Sequence, residues 1–306
     1  MRIRTGAANG LRAIVALIPT RGGELWGQAI YFSVGGELWG RLSIFYQFNS
    51  SPIMPTVPLQ SIVDHCSALL CPDQFTDYDL AHNGLQVANR DGVQHIVAAV
   101  DASLATIRRA ATAGASLMVV HHGLFWGNSI PWTGRRHELI CALVEADLAI
   151  YSMHLPLDAH PTLGNAALLA GHLRLKRLRP FFQHQGRPIG WQSTVAIPRS
   201  ELANRLSSLL GRPPILLPGG PELCRKIGIC TGGAGAELKQ AASEGVDTFI
   251  TGEGPHWTHS LAEDAGINVF YGGHYATETF GVKALAESLA KQFSLTWEFI
   301  DHPSGL

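Results

Sequence analysis

The chain has 306 residues, enough for one large or two ordinary domains, and its 46% apolar share supports a sizeable core. Charged residues make up only 15% and the net formal charge is −1, which disfavours a nucleic-acid binder working through a basic surface. The five cysteines are odd in number and lack C-x-x-C spacing, which argues against a disulfide framework or thiolate zinc site and for a reducing cytoplasm; no run of 18 apolar residues exists, so no membrane-spanning helix is expected.

Residues 1–53 stand apart. The hexamer GGELWG occurs at Gly22–Gly27 and again at Gly35–Gly40, and two copies are too few for a solenoid. The basic start is followed by a short apolar stretch that Arg12 interrupts, with no small-residue cleavage site after it, so no secretory leader is expected. The segment is expected to be a poorly ordered extension ahead of a domain that opens at Met54. The alternative is a hairpin from AIYFSV and RLSIFYQF, both β-rich and separated by Gly-Gly.

From Met54 onward the pattern is regular. LQSIVDHCSALL has apolar residues at helical spacing. HIVAAVD (95–101) is a strand, and SLATIRRAATAG a helix with Ser103 as N-cap and Gly114 as stop. SLMVVHH is a strand, RRHELICALVEAD a helix, and LAIYSMH (148–154) a strand. Strands QSTVAI, KIGICTG, DTFITG, NVFYGG and LTWEFID follow, with helices AELKQAASEG and ETFGVKALAESLAKQF among them. This alternation predicts an α/β fold with largely parallel sheets.

The alternation hides a duplication. Residues 101–126 and 232–257 align without gaps, with six of 26 positions identical, Gly123/Gly254 and Trp126/Trp257 among them. The next strands also match: Tyr151 meets Tyr271, His154 meets His274 and Asp158 meets Glu278. Two related α/β halves facing each other are expected, the first over 54–180 and the second over 181–306.

On this frame His121 and His122 end one strand, His154 ends the next with Asp158 four residues on, and His274 and Glu278 hold the corresponding places in the second half. Ligands gather at the carboxyl ends of parallel strands. Adjacent strand residues point to opposite sides, so His121 and His122 are expected to share a site only because the strand has ended and Gly123 lets the backbone turn. His274 and Glu278 project from one face of a helix that begins near Tyr275. Pro156 and Pro161 make HLPLDAHP a rigid loop, with the next helix starting near Asn165. Three or more imidazoles with two carboxylates suit zinc, iron(II), manganese or cobalt rather than calcium. Glu253 aligns with His122 across the duplication and is a candidate to support the site, whereas His160, His256 and His259 are expected to be polar loop residues.

In series, HNGLQV (82–87), VVHHGLFWG (119–127), HLPLDAHPTLGN (154–165), TGGAG (231–235), DTFITGE (247–253) and GGHYATETFGVKAL (272–285) resemble the Ngg-interacting-factor-three-like family, whose bacterial members are labelled GTP cyclohydrolase 1 type 2 homologues. The resemblance runs from Met54 to the C-terminus. It implies two intertwined α/β halves, a toroidal homohexamer, and a two-metal cleft facing the inner cavity, with the ligands falling on His121, His122, Asp158, His274 and Glu278. His154 matches a motif position without being among those ligands. Where the family commonly has Asp before NGLQV, this chain has His82.

The expected function is that of a dinuclear, metal-dependent hydrolase of a nucleotide or related small molecule, with His154 or Glu253 relaying protons. Against a nucleotide, there is neither a P-loop nor a dinucleotide fingerprint, and TGGAG is equally an anion cradle or a tight turn. The rival expectation is a non-catalytic metal-handling or scaffold protein. Membrane partners are not expected, and nucleic acid is disfavoured by the charge.

Overall fold

The computed structural model describes residues 56–126 and 130–306, together with the backbone of 7–8, 11–19, 26–34 and 37–46. The chain divides into two compact units, Met1–Met54 and Pro55–Leu306. In the first, strands β1 (Ala7–Ala8), β2 (Leu11–Pro19), β3 (Trp26–Val34) and β4 (Glu37–Tyr46) form an antiparallel sheet in that order. β3 takes in AIYFSV and β4 the first six residues of RLSIFYQF, and the two strands pair with Ile30 opposite Leu42; residues 47 and 48 lie outside the described residues. Met54, where the domain is expected to open, lies outside the described residues.

The second unit is mixed α/β and runs α1 (Leu59–Leu70), β5 (Gly84–Val87), β6 (His95–Asp101), α2 (Leu104–Thr112), β7 (Leu117–His122), α3 (Arg135–Ala146), β8 (Ala149–Ser152), α4 (Leu155–Asp158) and α5 (Asn165–His172). It continues through β9 (Arg179–His184), β10 (Arg187–Pro198), α6 (Arg199–Leu210), β11 (Ile215–Pro218), β12 (Leu223–Ile229), α7 (Leu238–Ser243), β13 (Thr248–Thr251), α8 (Thr258–Ala265), β14 (Asn268–Tyr271), α9 (His274–Phe293) and β15 (Thr296–Phe299). Two sheets result, one ordered β15-β6-β7-β8-β5 and one ordered β11-β14-β13-β12-β10-β9. The central triplets β6-β7-β8 and β12-β13-β14 are each parallel, β15 joins β6 in parallel, and the remaining pairings are antiparallel.

The strand pattern explains the layering. Along β6, Ile96, Ala98 and Val100 join a core with Ile62 and Cys66 of α1 and Val282, Leu285 and Leu289 of α9. Val97 and Ala99 point the other way, into a core with Ile107 and Ala110 of α2 and Leu139 and Leu143 of α3. Both faces of the sheet are therefore covered, as a parallel sheet requires. α2 is capped as expected: the Ser103 hydroxyl accepts from Thr106 N–H at 3.2 Å, and Ser103 N–H donates to Thr106 Oγ1 at 2.9 Å.

α9 ties the two sheets together. It leaves the end of β14 in the six-stranded sheet yet buries Val282, Leu285, Ala286 and Leu289, at i, i+3, i+4 and i+7, against the five-stranded sheet. Its first turns therefore stand where the carboxyl ends of both parallel triplets face each other. The expectation for HLPLDAHP is corrected here: α4 is a short helix. Pro156 sits at its second position, where a missing N–H costs no helical hydrogen bond.

Candidate metal centre

Four histidines converge at these strand ends, and each is held from behind. His121 Nδ1 donates to the Met153 carbonyl at 3.0 Å, and His122 Nδ1 to Asp101 Oδ1 at 2.8 Å. His154 Nδ1 donates to Asp77 Oδ1 and His274 Nδ1 to Glu253 Oε1, both at 2.8 Å. An outer acceptor on Nδ1 fixes the tautomer that leaves Nε2 with a lone pair.

The Nε2 atoms of His121, His122 and His274 turn inward onto two carboxylates. Glu278 is the hub: Oε1 lies 3.6 Å from His121 Nε2, while Oε2 lies 3.3 Å from His122 Nε2 and 3.2 Å from His274 Nε2. Asp158 Oδ2 stands 3.3 Å from His121 Nε2. The other Asp158 oxygen accepts from Asn165 Nδ2 at 2.8 Å, and Asn165 Oδ1 accepts from Gly281 N–H at 2.7 Å, tying α5 to α9. Ligand atoms of His121, His122 and His154 lie within 4.8 Å of one another, and so do those of His122, His274 and Glu278. The two groups share His122.

This donor set calls for a cation. His121 and Glu278 are buried, and His121 Nε2 and Glu278 Oε2 lack a hydrogen-bond partner. Neutral imidazoles would aim lone pairs at carboxylate oxygens, so a proton or a metal ion must sit between them. Without a metal, protons answer that demand. Burial opposes charge on His121, but Asp158 and Glu278 outweigh it and raise its pKa well above the ordinary imidazole value. Burial likewise opposes charge on His274, yet Glu278 and then Glu253 raise it to about 9. Burial would raise Glu278, but His121, His274 and His122 hold it well below the usual carboxylate range. His154 behaves oppositely: burial, aided by the charge on His121, lowers its pKa despite Asp77. Burial also opposes ionisation of Asp77, and the bond to His154 overcomes it, bringing the carboxyl down to about 2.

Two glycines make room. Gly232 has φ +71°, and a Cβ there would lie 2.2 Å from Glu278 Oε1. Gly123 has an ordinary φ, which corrects the expectation that it turns the backbone; β7 runs through His122, which pairs with Asp101. What Gly123 provides is space, since a Cβ would lie 2.3 Å from Gln86 Nε2. The rings of His121 and His122 lie 4.8 Å apart, His121 nearest one Glu278 oxygen and His122 nearest the other.

All five expected ligands, His121, His122, Asp158, His274 and Glu278, are thus brought together, and His154 joins them. Glu253 stands behind His274 rather than among the inward nitrogens. His82 is not part of the cluster; its ring packs edge-on to Phe125. His160 Nδ1 accepts from Leu163 N–H in its own loop, His256 is exposed, and His259, expected in a loop, is an exposed residue of α8. Sequence reasoning missed Asp101, Asp77, Asn83 and Asn165. Asn83, inside the HNGLQV motif, accepts from His154 N–H at 2.7 Å and donates to Asp77.

In front of the cluster a cavity of about 540 Å³ opens, bounded by Tyr78, Trp126, Phe182 and Ile189 beside the inward face of His154. Cys230 in its wall is fully buried; burial, then Asp158, Glu237 and Glu278, push its pKa well above the ordinary thiol value, so it stays a thiol.

A family model described as Duf34/NIF3 (NGG1p interacting factor 3) matches residues 57–304. The GTP cyclohydrolase 1 type 2 homolog of Halobacterium salinarum is 45% identical over 240 residues, covering 76% of this chain and 94% of that protein. That of Deinococcus radiodurans is 40% identical over 232 residues, covering 74% and 88%. The crystal structure of TTHA1606 from Thermus thermophilus superposes with a TM-score of 0.76 at 36% identity, over 82% of this chain and all of that one.

Proposed function

The chain belongs to the Duf34/NIF3 family, and from that premise we propose that it binds two divalent metal ions and acts as a metal-dependent hydrolase of a nucleotide or related small molecule. The observation that carries the metal reading is the orientation of the four imidazoles. Every Nδ1 is taken by an outer acceptor, and the buried donor set turns inward onto Glu278 and Asp158. Nitrogen and carboxylate donors in this ratio fit zinc, iron, manganese or cobalt. Glu278 has one oxygen toward His121 and the other toward His122 and His274, so it would help to hold both ions.

When bound, two such ions supply an activated water and polarise the oxygen of the group under attack. The chain's own residues do the rest. His121, His122, Asp158, His274 and Glu278 hold the centre. His154, with Nδ1 on Asp77 and Nε2 facing the cavity, accepts a proton from the attacking water and returns it to the leaving group. Burial disfavours the charged ring of His154 and so favours the neutral form that can accept a proton. Glu253 keeps the His274 ring in register and is the second candidate for proton relay. In this reading the protein is cytoplasmic, as its cysteine usage suggests, and assembles as a toroidal homohexamer, as the family resemblance implies. Among the described residues no helix is long and apolar enough to cross a membrane.

The test is to purify the full chain, measure bound metal, and compare turnover of nucleotides and phosphoesters by metal-loaded wild type and His122→Ala. Metal-dependent turnover lost in the variant supports the reading. Metal uptake without turnover on any panel member supports the alternative, a metal-handling or scaffold protein.

A further inference from the structure

The chain's charge is unevenly spread. Of its 23 Lys and Arg and 24 Asp and Glu, residues 159–200 hold six of the former and none of the latter. The small net charge that argues against a broad basic surface is therefore an average over two unlike parts. Four of the six cations, Arg174, Lys176, Arg177 and Arg179, fall within six residues, on the connection from α5 to the first residue of β9. All four are exposed, and among the described residues none of their side chains has a hydrogen-bond or ion-pair partner. The acids that bracket them in sequence are engaged elsewhere: Asp158 in the metal cluster and Glu201 with Arg205.

The backbone under these charges is fixed. Leu173 and Leu175 are buried among residues of α5, α6 and β12, the Arg205 guanidinium donates to the Leu173 carbonyl at 3.1 Å, and the Ser193 hydroxyl donates to the Lys176 carbonyl at 2.6 Å. The cations therefore stand on a ridge whose backbone is already ordered before any partner arrives. Guarding a sheet edge is a common use of exposed charge. Here the edge strand β9 begins only at Arg179, and its Phe182 and Gln183 N–H groups already donate to Glu244 at 2.8 and 3.2 Å. Three of the charges thus lie outside the strand they would guard.

The chemistry of the ridge selects its partner. Leu173 and Leu175 face the core, so the run keeps no apolar side chain free to enter a bilayer or to anchor a peptide. It holds no aromatic side chain on which unpaired bases could stack. What remains is charge alone, three parts arginine, whose planar fork matches phosphate oxygens. A duplex presents such oxygens densely, with one charge per about 1.7 Å of axis, and the ridge spans at most about 17 Å when extended. We propose that Arg174, Lys176, Arg177 and Arg179 bind the phosphate backbone of a nucleic-acid duplex without reading its sequence. The contact is independent of the metal cluster, and the acid excess of the rest of the chain confines it to this ridge.

The probe is a fluorescein-labelled DNA duplex of about 20 base pairs, titrated with the full chain and read by anisotropy from about 50 to about 200 mM salt. Four phosphate contacts give a log–log slope of about −3.6, so affinity is expected to fall roughly 100-fold across that range. Arg174→Gln, Lys176→Gln, Arg177→Gln and Arg179→Gln combined should abolish binding. Arg174→Gln with Arg177→Gln should leave about half the slope, and Lys239→Gln with Lys291→Gln, two exposed cations elsewhere, should leave all of it. No retention of the duplex at about 50 mM salt, whether or not phosphatidylserine vesicles are bound, would overturn the proposal. So would an unaltered slope in the folded Arg174→Gln/Arg177→Gln variant, or an equal loss in the Lys239→Gln/Lys291→Gln variant. Binding that a chelator removes, with circular dichroism unchanged, would put the phosphates on the metal cluster instead and overturn it as well.

Discussion

Asp101 and His122 stand opposite each other at the ends of β6 and β7, and the Asp101 carboxylate accepts from His122 Nδ1 at 2.8 Å. The parallel register therefore has a chemical consequence. It places an acceptor one strand away from a histidine whose other nitrogen faces Glu278 at 3.3 Å. Removing such an outer acceptor typically lowers metal affinity about 10–100-fold, because the ring loses both orientation and basicity. Asp101→Ala should therefore bind manganese or zinc more weakly by about that factor, with an unchanged circular dichroism spectrum. Unchanged affinity would show that His122 needs no support from Asp101.

Gly232→Ala should empty the site without unfolding the chain. The new methyl would fall 2.2 Å from Glu278 Oε1, in a backbone conformation with φ +71° that alanine disfavours. Metal content per chain and thermal unfolding together check this. A variant that retains full metal content would mean that Glu278 is not confined as described.

Asn165 is fully buried and joins Asp158 on one side to the Gly281 N–H on the other. Asn165→Ala leaves both groups unpaired, at about 1–3 kcal/mol each. Urea unfolding of the metal-free protein should show a loss of about 2–6 kcal/mol. A loss within error of zero would mean that water replaces the amide.

The Asp77–His154 pair predicts a pH dependence of stability. Asp77 titrates at about 2 in the folded chain, below its ordinary value of 3.8, because His154 and Asn83 donate to its carboxylate. A depressed carboxyl contributes stability that is complete above the ordinary value and is lost as pH falls toward the folded one. Wild type should therefore exceed Asp77→Asn in stability at neutral pH, and the two should converge as pH drops from about 4 to about 2. Urea titrations across that range decide it, and curves that stay parallel would contradict the assignment.

Much of the fold and of the site is legible in the residues, for physical reasons. α1 and β6 carry clean helical and strand periods, and the Ser103 cap is a local side-chain effect. The His-His pair stands out because a strand rarely spends two imidazoles at its end. α4 is hidden because Pro156 normally forbids a helix, except in the first turn where it lies. Asp101 is visible as a strand-terminal carboxylate, but its partner depends on sheet order, which pattern alone does not set. Asp77 is out of reach altogether. It lies in an aperiodic loop 77 residues before His154, and only the folded chain puts the two together. Gly123 matters to the site as expected but for a different reason, since the Gln86 side chain that needs the space comes from another strand.

The central claim is that Glu278 bridges two cations held by imidazoles from both halves. The direct measurement is the number of divalent ions bound per chain, by elemental analysis after equilibration with manganese or zinc, in wild type and in Glu278→Gln. The account predicts two ions per wild-type chain and a loss of at least one in the variant. Wild-type protein that binds no stoichiometric metal, or a variant that binds as many ions as wild type, would contradict it.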